Sequence, residues 1–66
     1  MAVLKVIEVL ANSTKSWEDA AQNAVAQAAK SVKNIRSCYI NEQTCIVNGD
    51  SITEYRVNVK ITFEVK

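Results

Sequence analysis

The chain has 66 residues, enough for one domain spanning 1–66 and no more. Hydrophobic residues make up 48%, which argues against disorder. A net charge of +1 with 23% charged residues gives no electrostatic footprint for nucleic acid or an anionic membrane, and the absence of histidine removes the commonest general base, the commonest zinc ligand and every Ser-His or Cys-His catalytic pair.

The first predicted element is a strand over Val3–Leu10. It is rich in β-formers, and its apolar residues fall on both faces, so cover is expected on both. Lys5 and Glu8 interrupt the run, so it reads neither as a signal-peptide core nor as a membrane span. A helix follows. Ser16 is the expected N-cap, Asp19 stands in a capping-box-like position, and Glu18 suits the positive end of the dipole. Trp17, Ala20, Ala21, Ala24, Val25, Ala28 and Val32 recur at helical spacing. Lys30 and Lys33 suit the last turn, and Asn34 suits a left-handed cap.

A second strand is expected over Ile35–Val47 and a third over Ile52–Val65, joined at Asn48-Gly49, the chain's only glycine. In the third strand Tyr55, Val57, Val59, Ile61, Phe63 and Val65 alternate with Glu54, Arg56, Asn58, Lys60, Thr62 and Glu64. That period of two gives one core face and one polar face. At about 3.4 Å per residue this strand exceeds 40 Å, longer than a domain of this size is wide, so it must curl or project towards a neighbouring subunit. The expected fold is α+β: a β-α-β-β chain forming a three-stranded antiparallel sheet packed on one helix. Such a core supplies about 3–5 kcal/mol at best, so oligomerisation is expected to supply the rest.

Cys38 and Cys45 are seven residues apart on the second strand. Read as a regular strand, they stand about 23 Å apart on opposite faces. They are expected to be free thiols in a reducing cytoplasm. No phosphate loop, CxxC pair, EF-hand or nucleophile elbow is present, and an enzyme is not expected. Glu42 and Thr44 are the candidate oxygen ligands for a hard cation such as calcium. Calcium takes 6–8 oxygens, so one strand alone does not complete the site. Trp17 reads as a packing anchor more readily than a stacking surface. Arg56 has the fork that grips carboxylate or phosphate.

Three segments together, SWEDAAQNAVAQAAKSV, EQTCIV and ITEYRVNVKITFEVK, resemble the dodecin family over essentially the whole chain. The resemblance implies a hollow homo-dodecamer of 23 symmetry that binds small molecules; from the charge balance, neither nucleic acid nor membrane is expected as a partner. Flavin-binding members carry a D-W-F-E-V segment whose Trp stacks on the flavin; aligned through the hairpin, it falls on Arg36 to Ile40, with Ser37 at the Trp position. The Gln of their E-Y-Q-V segment falls on Arg56. The ligand-binding positions implied are therefore Ser37, Tyr39 and Arg56, with two flavin determinants replaced. The helix start SWE and the pairs Ile35-Arg36, Glu42-Gln43 and Tyr55-Arg56 resemble the calcium-dodecin branch. The expected function is a non-enzymatic dodecameric store for a small ligand or ion. No cofactor is fixed: calcium is the expectation, and flavin in an altered pocket, with Tyr39 as its aromatic surface, is the alternative.

Overall fold

The computed structural model describes residues 2–66. Strand β1 (Val3–Ser13) leads to helix α1 (Trp17–Ala28), then to strands β2 (Ile35–Asn48) and β3 (Ser51–Val65). The sheet order is β1-β3-β2 with both pairings antiparallel. This is the expected α+β arrangement: the helix reverses the chain, and the most regularly alternating strand takes the centre.

One face of β3 is sealed. Val57, Val59 and Ile61 are buried against Ala20, Ala24 and Ala28, which recur every four residues along α1. Alanine at all three positions lets the helix backbone approach the sheet closely. From β1, Ala11, Val9 and Ile7 stand opposite Val57, Val59 and Ile61 and extend the same cluster.

Ser16 caps the helix as expected, its Oγ accepting from the Asp19 N–H at 3.0 Å. The reciprocal half of the capping box is redirected. The Asp19 carboxylate accepts from Ser13 Oγ at 2.6 Å, and Ser13 Oγ accepts from the Lys15 N–H at 2.9 Å. The end of β1 is thereby tied to the first turn of α1, which fits β1 running three residues past the expected Leu10. Trp17 anchors the same corner. Its Nε1–H donates to the Thr44 carbonyl at 2.9 Å, and its ring meets Tyr55 edge-on at 5.0 Å.

Three expectations are corrected. The helix ends at Ala28, before Lys30 and Lys33, because Lys30 and Ser31 donate back three residues and tighten the turn. Asn34 is left-handed (φ 64°), but it is the entry to β2 rather than the helix cap, and its carbonyl accepts from the Glu64 N–H. The hairpin turn is Gly49-Asp50, not Asn48-Gly49, since Asn48 pairs with Ser51. Positive φ is needed at Gly49 alone (φ 68°), the pattern of a type II′ turn with glycine first.

A fourth correction concerns the cysteines. The β2–β3 register shifts between Ile40 and Glu42, so Cys38 pairs with Ile61 and Cys45 with Tyr55. The extra residue inverts the alternation and puts both thiols on the helix side of the sheet. They remain far apart and free, Cys38 half-buried and Cys45 exposed. Burial raises the Cys38 thiol above its ordinary pKa.

Candidate functional site on the open sheet face

The register determines which polar side chains meet. On the face away from the helix, Asn58 stands between Leu10 of β1 and Glu42 of β2, and Arg56 stands between Asn12 and Thr44. These two adjacent rungs line a groove of 390 Å³, floored by Ala11 and Val57. Directly opposed side chains sit about 4.5–5.5 Å apart at Cβ, so all six reach a common space. The bulge after Ile40 is what aims Glu42 and Thr44 here; an unbroken alternation from Cys38 would put both with the core.

Of the five residues singled out from sequence, Glu42, Thr44 and Arg56 converge on this groove. Ser37 and Tyr39 share its face but pair with Thr62 and Lys60. Thr62 lies six residues beyond Arg56 on β3, about 20 Å at 3.3–3.4 Å per residue. A small ligand therefore cannot touch Ser37 and Arg56 of the same chain. The sequence reading missed Asn58, Asn12 and Leu10 as site residues. Asn58 was visible as an alternating position of the third strand, whereas Asn12 lies beyond the expected end of the first at Leu10; only the cross-strand register brings the three together.

The groove's polar groups are incompletely paired. Glu54, two residues before Arg56 on the same face, accepts from the Asn12 amide. Neither Arg56 nor Glu42 belongs to an ion pair among the described residues; the pair present is Arg36–Glu64 at 2.8 Å, elsewhere on the sheet. Asn58 Oδ1 is buried without a hydrogen-bond partner. The Thr44 carbonyl is committed to Trp17, which leaves its hydroxyl for the groove. No cluster of three or more Cys, Asp and Glu able to hold a metal occurs among the described residues. Glu42, the Thr44 hydroxyl and the Asn58 amide supply far fewer oxygens than calcium takes, beside a guanidinium that repels a cation. One chain's groove does not fit a calcium ion.

The rest of the open face is uncovered. Leu4, Val6 and Leu10 of β1 are 54%, 57% and 71% exposed, and Tyr39 of β2 is 63% exposed. A second, shallower groove of 290 Å³ lies between α1 and β2, lined by Ala21, Val25, Cys38 and Ile40 among others, because the helix rests chiefly on β1 and β3. No helix among the described residues is long and apolar enough to cross a membrane.

The fold is that of a dodecin from Thermus thermophilus, a point mutant of which superposes with a TM-score of 0.93 over 100% of this chain and 98% of that one, at 24% identity. A calcium-chelating calcium dodecin from Mycobacterium tuberculosis matches with a TM-score of 0.82 and 37% identity over 97% of this chain and 91% of that structure. In sequence, the calcium dodecin of that organism is 36% identical over 66 residues, covering 100% of this chain and 93% of the relative. The Dodecin family model matches residues 3–66, and with the β-α-β-β sheet wrapped on one helix it places this chain in the dodecin family.

Proposed function

We propose that this chain builds a non-enzymatic, hollow homo-dodecamer that binds or stores a small ligand or ion on the open sheet face, without a tight flavin site. The observation that carries this reading is that face itself. It joins a row of exposed apolar side chains on β1 to a groove of incompletely paired polar ones, a surface suited to burial against other copies with a polar ligand held at the seam. Kinship to a calcium dodecin supports an ion as the cargo. Glu42 and Thr44 would contribute oxygens to such an ion only where other copies supply the remainder.

Native mass spectrometry of the purified protein tests the assembly and its content together. A mass of twelve chains with bound small molecules or calcium is the expected result, and a stable monomer at micromolar concentration overturns it.

A flavin is the second reading, favoured by the exposed ring of Tyr39 on the same face. Against it, Ser37 stands where flavin binders have the stacking Trp, and Arg56 stands where they have Gln. An aromatic stack contributes about 1 kcal/mol beyond burial and a hydrogen bond about 0.5–1.5 kcal/mol. Together their loss weakens binding by roughly 10–100-fold. Wild-type protein should leave riboflavin fluorescence unquenched at micromolar concentration, and in the assembly, where one copy would supply position 37 and another position 56, Ser37→Trp combined with Arg56→Gln should restore quenching. A yellow wild-type protein would establish the flavin reading instead.

A further inference from the structure

The geometry points to a zwitterion as the ligand of the open-face groove: a small molecule with one anionic group for Arg56, one ammonium for Glu42 and Asn58, and a short apolar part against Leu10. This inference rests on the proposal that the open face binds a small ligand, and deepens it by naming the ligand's chemistry.

Three observations carry it. Arg56 and Glu42 line the same 390 Å³ space, yet no ion pair joins them. Arg56 pairs across the strands with Thr44, and Glu42 with Asn58, so the two charged residues are diagonal neighbours, about 7–8 Å apart at the backbone. Both side chains are long enough to close on each other or on something between them.

The second observation is the order of charges on the face. Arg56 stands next to Glu54 along β3 and diagonal to Glu42 on β2, with Glu54 tied to the Asn12 amide. A ligand that is only an anion meets two carboxylates beside the one guanidinium. A ligand that is only a cation meets the guanidinium between the carboxylates. A ligand with both charges meets each group with its opposite. The guanidinium's planar fork takes a carboxylate or a phosphate through two N–H groups. An ammonium has three donors and the groove offers it acceptors.

The third observation is Asn58. Its side-chain oxygen is buried and has no donor, an arrangement that is costly unless a donor arrives. Asn58 stands directly opposite Glu42, and an asparagine amide turns readily about χ2. Turned outward, the oxygen shares the ammonium with Glu42. Leu10, opposite Asn58 on the other side and 71% exposed, is the apolar wall. An α-amino acid with an aliphatic side chain has all three parts; a phosphomonoamine has the two charged ones.

Isothermal titration calorimetry of the intact assembled protein tests this with four probes. L-Leucine and O-phosphoethanolamine are zwitterions carrying carboxylate and phosphate. 4-Methylpentanoate lacks the ammonium, and 3-methylbutylamine lacks the acid. At least one zwitterion should bind, and for leucine each single-charge analogue should bind at least tenfold more weakly; which zwitterion binds more tightly identifies the anionic group. Arg56→Gln and Glu42→Gln should each weaken that zwitterion at least tenfold, with an unchanged far-UV spectrum. Absence of binding by both zwitterions at millimolar concentration overturns the inference. So does equal binding of leucine and either analogue. Native mass spectrometry of the same sample separates the two levels: an intact dodecamer that ignores both zwitterions refutes the ligand class alone, whereas a monomer refutes the assembly.

Discussion

The two faces of one sheet have opposite fates. On the helix side, Ile7, Val9 and Ala11 of β1 and Val57, Val59 and Ile61 of β3 close against an alanine stripe. On the open side, β1 carries Leu4, Val6 and Leu10, as apolar as their neighbours yet more than half exposed. Strand β3 alternates cleanly, whereas β1 does not. The difference teaches that β1 is built for cover on both faces, while a single chain covers only one. The second cover has to come from elsewhere, and the polar groove lies directly beside the row that needs it.

A charge on each face in turn sharpens that contrast most. Val59→Asp buries a carboxylate with no partner at a fully enclosed position, at a cost of about 4 kcal/mol or more. That is comparable with the whole stability of so small a core, so helix and strand signals should vanish from the far-UV spectrum. Val6→Asp, on the opposite face of the neighbouring strand, should keep those signals while light scattering reports a smaller assembly. Equal loss of structure in both variants would sink the contrast.

Overfilling the covered face has a smaller effect. Ala24→Leu adds three carbons where the helix touches the sheet, and should cost about 1–3 kcal/mol. It should lower the urea midpoint, whereas Gln22→Leu, outside the alanine stripe, should barely move it. Smaller again is the helix cap. Ser16→Ala removes the acceptor for the Asp19 N–H, worth about 1 kcal/mol, and Ser16→Asp should recover most of the loss. A cap variant with unchanged thermal midpoint would show that the Ser13–Asp19 tie alone holds this corner.

The smallest effect is pH-dependent and belongs to the covered face. Cys38 has a raised pKa caused by burial. The unfolded chain therefore gives up this proton at lower pH than the folded one. Its contribution to stability is complete below the unfolded value, about 8.5, and is lost as pH rises through the folded value. The stability difference between wild type and Cys38→Ala should shrink from pH 8 to pH 10. A difference that stays flat over that interval would mean the thiol is not desolvated. At pH 8, Cys45 should react with a thiol reagent faster than Cys38, in keeping with its exposure.

Much of the fold was legible because alternation and caps are local signals. The period of two from Tyr55 to Val65 named the buried row of β3, and the four-residue recurrence of Ala20, Ala24 and Ala28 named the helix face that meets it. The candidate site was less legible. Glu42, Thr44 and Arg56 were singled out by residue type, and they do converge. Asn58 and Leu10 were not, because no local pattern distinguishes them from Lys60 or Val6. Ser37 and Tyr39 were grouped with Arg56 by resemblance, and within one chain the register holds Ser37 about 20 Å from it.

What the sequence by itself determined is what depends on near neighbours along the chain: element order, the Ser16 cap, the demand for glycine in the hairpin, and which side of β3 is apolar. Tertiary structure alone decided the placement of the turn at Gly49-Asp50, the bulge after Ile40, and through it the side to which Cys45, Glu42 and Thr44 point. The reason is the strand's period of two. One extra residue on β2 reverses every side chain beyond it, and whether that residue is accommodated depends on the partner strand, which no window along β2 contains.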